Sequence, residues 1–265
     1  MSELTFLKLG GSLITDKDKA HLALLPQIDM LLEQIKRYLD THPTARLVLG
    51  HGSGSFGHQP AKRFDTRNGV RTDQEWLGFA EVWNEARALN QIVIERAHSH
   101  NLPVVSFPFS SSGICDHQRI LLWKTSQIKS ALLHGLLPVI YGDVAFDESL
   151  GGTIVSTEEQ FDYLVQELHP KRILLAGIEP GVWKDFPKCK VLLPEMNREQ
   201  YETLKKKLAG SASIDVTGGM SSKVETAFSM LAKEPGMKVQ IFSAKAEDTL
   251  MKVLEGENVG TLIRV

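Results

Sequence analysis

Residues 48–58 have the sequence Val-Leu-Gly-His-Gly-Ser-Gly-Ser-Phe-Gly-His, in which an apolar run changes into a segment with four glycines and two histidines. The aliphatic run over residues 47–49 predicts a buried strand. Glycines let backbone amides approach an anion closely, because no side chain intervenes and a positive φ costs little. His58 adds a side chain whose charge changes near neutral pH. The stretch therefore predicts a strand, then an anion-binding loop with phosphate as the expected ligand, then a helix.

Short, nearly continuous apolar runs recur along the chain with helical patterns between them, which is typical of parallel strands covered on both faces. The predicted strands are residues 4–9, 46–49, 103–107, 137–141, 172–176, 238–242 and 261–265. Capping-box patterns predict one helix from Thr72 to about His98 and another from Ser156 to about Leu168. The alternation predicts an α/β fold, an αβα sandwich around a mainly parallel open sheet.

Two segments interrupt this alternation. Residues 111–123 and 143–155 have the pattern of β-hairpins, the second turning at residues 149–152. A change in character near residue 170 predicts an N-terminal lobe, residues 1–170, and a C-terminal lobe, residues 171–265. We expect both lobes to share one continuous sheet and to form a single structural domain.

Composition narrows the class of protein. The chain has 265 residues, of which 42% are hydrophobic and 23% charged, as in ordinary globular proteins. A net charge of −2 gives no electrostatic basis for binding nucleic acid or an anionic membrane. No targeting pattern or run of membrane-spanning length is visible. Cys115 and Cys189 lie far apart and are expected to be structural thiols. We therefore expect a cytoplasmic protein that acts on small molecules.

Lys8 ends the first predicted strand and is followed by Gly10 and Gly11. Paired glycines at the carboxyl end of a strand place backbone donors in the crevice where α/β sheets bind ligands. A charge at the end of an apolar strand is unfavourable unless it meets an anion or a carboxylate. A lysine extending from the sheet edge to solvent is the alternative. Lys17, within a charged segment, either reaches the same place or belongs to a solvated loop.

A third glycine loop begins at Asp215 and has Gly218 and Gly219 before a predicted helix with Lys223 in its first turn. A lysine there opposes the helix dipole, and bound phosphate would remove that conflict. None of the loops has the Walker A pattern or a GxGxxG after a strand. Two separate phosphate cradles on one sheet indicate two phosphate-bearing ligands, and hence a phosphotransferase.

Taken together, these motifs resemble the amino acid kinase superfamily over essentially the whole chain and in the same order. The matching segments are Lys8-Leu-Gly-Gly-Ser12, His51-Gly-Ser-Gly-Ser-Phe-Gly-His58, Gly142-Asp143-Val144 and Asp215-Val-Thr-Gly-Gly-Met220. The loop ending in His58, with the following Ala61-Lys62, is similar to the isopentenyl phosphate kinase family. Members of that family use ATP and Mg²⁺ to convert isopentenyl phosphate into isopentenyl diphosphate, in an alternative mevalonate route of isoprenoid biosynthesis.

Two other functions are weighed against this one. Fosfomycin kinases share the same branch, so a kinase for another small phosphate or phosphonate is the close alternative. A non-catalytic nucleotide or metabolite sensor on the same fold is less favoured. Lys8, His58, Asp143 and Lys223 are all retained, whereas a sensor needs binding without transfer chemistry.

The resemblance implies a role for each matching residue and suggests a homodimer. Lys8 would bridge the transferring phosphoryl group, His58 would hydrogen-bond the accepting phosphate, and Asp143 would orient the lysines. Lys17 is assigned as a fourth catalytic residue. Among the substrate-binding residues, Gly10 and Gly11 would donate backbone hydrogen bonds to the transferring phosphoryl group. The acceptor phosphate would be bound by Gly52, Ser53, Gly54, Ser55, Gly57, Gly152 and Thr153. ATP would be bound by Lys8, Gly10, Gly181, Asp215, Gly218, Gly219 and Lys223. No metal site made by the protein alone is predicted.

This chemistry does not require a general base. A phosphate monoester has a second pKa of about 6, so the acceptor is largely a dianion at neutral pH. His58 is therefore expected to donate a hydrogen bond and position the acceptor, while His51 is expected to make structural bonds.

The chain also departs from the family pattern. An aspartate-rich turn of the form Asp-x-Asp-Gly-Val-Tyr is replaced by Ile178-Glu-Pro-Gly-Val-Trp183, which leaves the adenine and ribose contacts open. Residues 156–159 carry glutamates where aspartate is expected, which leaves open their part in a lysine or metal network.

Aromatic residues follow the acceptor loop at helical spacing. Trp76, Phe79 and Trp83 occupy positions i, i+3 and i+7, beside Ala80. Such a stripe is commonly plain core packing. Because the helix follows the loop closely, we predict that Phe79 and Trp83 close a pocket for a short apolar tail.

Overall fold

The computed structural model describes residues 3–209 and 218–264, in which short apolar strands alternate with helices. The strands are β1 (Leu4–Leu9), β2 (Arg46–His51), β3 (Val104–Ser106), β4 (Gly113–Asp116), β5 (Arg119–Trp123), β6 (Leu137–Tyr141), β7 (Asp143–Asp147), β8 (Gly151–Val155), β9 (Arg172–Gly177), β10 (Glu195–Met196), β11 (Lys238–Ser243) and β12 (Thr261–Ile263). The helices are α1 (Gly11–Ile14), α2 (Leu25–Thr41), α3 (Gly54–Phe64), α4 (Asp73–Ser99), α5 (Ser126–Leu133), α6 (Thr157–Leu168), α7 (Arg198–Ala209), α8 (Gly218–Lys233) and α9 (Thr249–Leu254), with 3₁₀ turns at Thr66–Asn68 and Phe109–Ser111.

The main sheet has the strand order β10-β12-β11-β9-β1-β2-β6-β3. Its pairings are parallel except for β11 with β12. In the central register Leu9 pairs with His51, and His51 pairs with Tyr141. The carboxyl ends of β1, β2 and β6 therefore lie side by side, and the segments that follow them share one edge of the sheet. The predicted mainly parallel sheet is confirmed.

Helices cover both faces of this sheet, and the side chains of β1 show how. Phe6 belongs to an apolar cluster with residues of α6 and α8, whereas Leu7 and Leu9 belong to a cluster with residues of α2, α4 and α9. Successive strand residues point to opposite faces. Both faces of β1 are therefore buried, which explains its nearly continuous hydrophobicity and confirms the αβα sandwich. Lys8 alternates with Leu7 and so lies on the α6 side.

Both predicted hairpins are present and combine into a second sheet. Its strand order is β5-β4-β7-β8. The buried carboxylate of Asp147 ties the two turns together, because it accepts hydrogen bonds from the backbone N–H groups of His117, Gln118, Ser149 and Leu150 at 2.7–3.2 Å. This sheet carries β7 and β8 against α4.

The capping boxes predicted at the starts of two helices are also confirmed. Thr72 and Glu75 form the predicted capping box of α4, and Ser156 and Glu159 form that of α6. One local expectation is wrong: residues 54–58 are the first turns of α3 and not a loop. The change of direction is made at Gly54 with φ +51°, and burial of Phe56 fixes the helix against the core.

Neither described part of the chain, residues 3–209 or 218–264, contains a helix long and apolar enough to cross a membrane.

Candidate active site

The segments after β1 and β2 pack backbone against backbone at the carboxyl edge of the main sheet. A Cβ atom at Gly52 would lie 2.8 Å from the Gly11 nitrogen, and one at Gly11 would overlap the backbone of Gly54. Side chains at these positions would force the two segments apart. The glycines are therefore required first of all for this close approach.

Backbone hydrogen bonding separates these glycines into two groups. The N–H of Gly10 donates to the Ala176 carbonyl (2.8 Å), and that of Gly52 donates to the Leu9 carbonyl (3.0 Å). These two hydrogen bonds attach the glycine segments to strands β9 and β1. The Gly10 amide is therefore already used, and the prediction that it donates to phosphate is wrong. Within residues 3–209 and 218–264, the N–H groups of Gly11 and Gly54 have no protein acceptor. Both are free to bind an anion at the N-termini of α1 and α3.

The first turns of α3 add polar side chains to these donors. Ser55 is buried, and its hydroxyl has no hydrogen-bond partner in the described part of the chain. His58 follows three residues later and so lies on the same face of α3. Gly57 packs against Ser53, where a Cβ atom would lie 2.7 Å from the serine Cβ. A helix N-terminus with an unpartnered buried hydroxyl suits an anion.

Burial and the charge of Lys8 both favour the neutral form of His58 in the absence of ligand. Desolvation by surrounding protein atoms lowers its pKa below the ordinary 6.5, and the positive charge of Lys8 lowers that pKa further. Part of the side chain remains exposed, so a ligand can reach it. A bound phosphate dianion would act in the opposite direction and raise the pKa.

Lys8 forms an ion pair with Glu158 from the first turn of α6, and both residues are at most 9% exposed. Burial alone would raise the pKa of the Glu158 carboxyl, but Lys8 and, to a smaller extent, Lys223 hold that pKa below its ordinary value. Burial also lowers the pKa of Lys223, with Lys8 and Lys17 lowering it further and Glu158 and Glu179 opposing them. Glu158 is thus the negative centre of a cluster of lysines.

Asp143 was predicted to orient the lysines, and the structure gives it other partners. Its carboxylate accepts from the N–H groups of Ser110 (3.0 Å) and Val144 (2.9 Å). It therefore fixes the 3₁₀ turn Phe109–Ser111, while the carboxylate that contacts Lys8 is Glu158. The helical start at Thr157 brings Glu158 under β1, and this packing decides which acid meets the lysine.

Asp143 should make the stability of the protein depend on pH. Burial raises its pKa from 3.8 to about 6, partly offset by the hydrogen bonds from Ser110 and Val144. The folded state then binds the proton more tightly than the unfolded state. The contribution of the protonated Asp143 carboxyl group to the unfolding free energy is fully present below pH 3.8 and is lost as pH rises through about 6.

Urea unfolding of wild type and Asp143→Asn between pH 4 and 7 tests this. Relative to the variant, we expect wild type to lose about 2–3 kcal/mol of unfolding free energy over that range. Parallel pH dependences of the two proteins would contradict the assignment.

An apolar cavity of about 350 Å³ lies beside the turn that Asp143 holds. It is lined by Phe79, Ala80 and Trp83 of α4, Ser110 and Ser111 of the 3₁₀ turn, and Val144 and Phe146 of β7. Phe79 and Trp83 were predicted to line such a pocket, and both do. Val144 and Phe146 were missed, because nothing in the β7 sequence indicates which helix the strand will pack against.

The aromatic rings make the cavity wall continuous. The ring centroid of Phe79 lies 5.2 Å from that of Trp76 and 5.3 Å from that of Phe146. Phe146 is nevertheless 50% exposed. An aromatic side chain held this far open to solvent on a hairpin is suited to contact an apolar ligand.

Other predicted residues lie nearby with structural partners. His51 is fully buried, and its ring contacts the Asn90 side-chain oxygen (3.2 Å) and the Gly52 carbonyl (3.1 Å), in agreement with a structural role. Thr153 is buried and donates its hydroxyl to the Arg67 carbonyl (2.8 Å), so it does not present that group to a phosphate. Gly152 packs against Phe79, where a Cβ would lie 2.9 Å from the ring, and thus borders the apolar cavity.

On the other side of Lys8, Gly218 and Gly219 begin α8, which carries Lys223. Asp215 lies outside the described residues. Gly181 meets β12 closely: the N–H of its neighbour Val182 donates to the Thr261 hydroxyl (2.8 Å). Close packing against β12 therefore explains why residue 181 is a glycine.

The chain is similar to known kinases in both sequence and fold. The model of the amino acid kinase family matches residues 3–243. The chain is 32% identical over 267 residues to isopentenyl phosphate kinase of Methanocaldococcus jannaschii and 30% identical over 272 residues to that of Methanothermobacter thermautotrophicus, with 98% of each chain covered in both cases. An X-ray structure of an isopentenyl phosphate kinase superposes with a TM-score of 0.80 at 28% identity, covering 98% of this chain and 99% of the other.

Proposed function

This chain belongs to the amino acid kinase family, and we propose that it transfers the γ-phosphoryl group of ATP to isopentenyl phosphate, giving isopentenyl diphosphate and ADP. The observation that carries the choice of acceptor is an apolar cavity on α4, the helix that packs against α3 and its anion-compatible N-terminus. A short isoprenoid monophosphate has both a dianionic head and an apolar tail. The 28% identical structure with matching fold supports the same substrate.

In this proposal the first turns of α3 bind the acceptor phosphate. The free N–H groups of Gly11 and Gly54, the unpartnered hydroxyl of Ser55 and the ring of His58 are the donors. The chain turns tightly enough here for main-chain donors to contact the oxygens directly. Oriented donors of this kind stabilise charge without reorganising during the reaction.

The lysines hold the transferring group and the ATP phosphates. Lys8 acts electrostatically on both His58 of α3 and Lys223 in the second turn of α8. Burial lowers the pKa of Lys223 in the empty site, and Lys8 and Lys17 lower that pKa further, while the carboxylates of Glu158 and Glu179 oppose the shift. Binding two anionic substrates relieves the repulsion between the lysines. The site is therefore built to bring two anions together, which is the main task in phosphoryl transfer.

Mg²⁺ fits this donor set as a partner of ATP. It is usually held by phosphate oxygens and water with one or two carboxylates. Glu158 and Glu179 are the acids that influence Lys223, and within the described residues no group of three or more His, Cys, Asp or Glu is placed to hold a metal. When bound, the ion supplies positive charge to the β- and γ-phosphates.

We assign residues 1–170 to acceptor binding and residues 171–265 to ATP binding, on the one sheet that both contribute to. We also propose that the enzyme is a homodimer of the cytoplasm, as the family resemblance suggests.

The direct test is incubation of the purified protein with ATP, Mg²⁺ and isopentenyl phosphate, followed by chromatography of the nucleotides and ³¹P NMR of the products. ADP and a diphosphate ester should form in equal amounts. Fosfomycin and simple alkyl phosphates serve as competing acceptors. ADP formed with fosfomycin but not with isopentenyl phosphate would show that the protein is a kinase for a different small phosphate or phosphonate. If phosphate is transferred to none of these acceptors, a non-catalytic sensor becomes the favoured function.

The cavity wall should set the length of the accepted tail. Replacing both Phe79 and Trp83 by alanine opens the wall, so kcat/KM for longer prenyl phosphates should rise relative to isopentenyl phosphate by about tenfold or more. Leu77→Ala is the matched control, because Leu77 lies on the same helix and is 65% exposed. An unchanged chain-length preference in a folded double variant would contradict this role.

A further inference from the structure

The loop of residues 16–22 carries Lys17 and joins α1 to α2. Its base is closed by an antiparallel bridge between Thr15 and Ala23 and by a hydrogen bond from the Asp16 N–H to the Leu22 carbonyl (2.9 Å). Residues 17–22 are exposed. The base is therefore fixed by the backbone, while the position of the tip depends on side-chain contacts.

His21 makes such contacts with two helices of the site. Its Nδ1 lies 2.6 Å from the carboxylate of Glu85 on α4, and its ring packs edge-on against Phe56 of α3 with centroids 5.6 Å apart. Phe56 is buried next to Ser55, and Glu85 stands two residues after the cavity residue Trp83. His21 itself has φ +55°, a left-handed conformation that is uncommon for residues other than glycine, although histidine adopts it more often than most.

We propose that His21 is a positioning residue, whose contacts with Glu85 and Phe56 hold the loop of residues 16–22 against α3 and α4 so that Lys17 points at the phosphates. This inference rests on the proposed kinase activity, since it gives Lys17 a part in binding the transferred group. Within the described parts of the chain, the ion-pair and ring contacts that join side chains of residues 17–22 to α3 or α4 are both made by His21.

Electrostatics explains why such a tether is needed. Lys17 is close enough to Lys223 to lower its pKa, and Lys8 lies in the same cluster. Before substrates bind, these like charges repel the exposed Lys17 and with it the tip of the loop. The attraction of His21 to Glu85, in a partly buried place where Glu85 is 17% exposed, opposes that displacement. The tether thus keeps Lys17 ready for an anionic ligand.

The chain offers a matched control for this pair. His169 also has a positive φ, +51°, and its Nδ1 lies 2.7 Å from Glu234, but this pair joins α6 to α8 at the ends away from Lys8. Removing either histidine removes one half-exposed histidine–glutamate contact and one residue in a left-handed conformation. Only His21 is connected to the loop that carries Lys17.

We expect His21→Ala to lower kcat/KM for the phosphate acceptor about fivefold, the upper range for a single exposed pair, while His169→Ala leaves it unchanged. His21→Asn should recover most of the loss, because its side-chain amide can donate from nearly the same position and asparagine tolerates a positive φ. In a Lys17→Ala background, His21→Ala should cause no further loss. Independent, multiplying losses in the double variant, or an equal loss in His169→Ala, would overturn the proposal.

A second measurement does not require the proposed substrate. Hydrogen exchange of the ligand-free protein should show faster exchange over residues 16–24 in His21→Ala and no change there in His169→Ala. Unchanged exchange over this loop would overturn the tether. Absence of turnover by wild type with isopentenyl phosphate, together with faster loop exchange in His21→Ala, would instead overturn the proposed function and leave the tether standing.

Discussion

Replacing Lys8 by methionine should lower kcat by about a thousandfold, because the site loses the cation that we propose contacts the transferring phosphoryl group. Methionine is similar in length and apolar, so it fills the space under β1 without a charge. Lys8 is buried with Glu158 as its partner, and Lys223 also acts electrostatically on that carboxylate. Steady-state kinetics with ATP and isopentenyl phosphate measure the loss.

The same substitution should also reduce stability, since it leaves Glu158 buried without its main counter-charge. A broken buried pair typically costs about 3–5 kcal/mol. Removing both charges in Lys8→Met/Glu158→Gln should restore much of that stability but none of the activity. Urea unfolding and kinetics on the single and double variants therefore separate folding from catalysis.

Lys36→Met is a suitable control, because Lys36 forms an exposed i,i+4 pair with Asp40 on α2. Its effect on unfolding should stay below about 0.5 kcal/mol and kcat should not change. Near-normal turnover by Lys8→Met, or recovery of turnover in the double variant, would contradict the role assigned to Lys8.

His58→Ala should lower the rate of phosphoryl transfer by about a hundredfold or more, the usual effect of losing one oriented donor to a developing oxyanion. ATP affinity should stay within about twofold of wild type, because in our proposal the nucleotide binds over α8 and not α3. Single-turnover kinetics and calorimetric titration with ATP measure the two quantities separately. His98→Ala, on an exposed position of α4, is the control for loss of a histidine.

His58→Gln distinguishes a donor from a base. The glutamine amide donates a hydrogen bond but takes up no proton at neutral pH, so partial activity in this variant supports donation. The lowered pKa of His58 favours the neutral ring in the empty site, which is compatible with donation from one ring nitrogen. Activity as low as that of His58→Ala would favour a proton-transfer role, and an equal loss of ATP affinity would contradict the separation into two phosphate sites.

Much of the fold could be predicted because its signals are local. The boundaries of β1, β6 and α6 follow from hydrophobic runs and capping residues only a few positions apart. The glycine loops and Lys8 were also identifiable, since a charge and paired glycines at the end of an apolar strand conflict with burial unless a ligand is present. The helical state of residues 54–58 was missed, because glycine content favours a loop and only the burial of Phe56 offsets it.

What the amino-acid sequence determined by itself is the strand–helix alternation, and it also singled out the glycine segments, Lys8 and His58 as candidates for phosphate binding. The tertiary structure decided which groups meet: Glu158 and not Asp143 contacts Lys8, Gly10 and Gly52 use their amides internally, and Phe146 completes the cavity. The physical reason is the range of the interactions. Periodicity, capping and backbone freedom act over a few residues, whereas the pairing of a buried charge depends on helices and strands packed from distant parts of the chain.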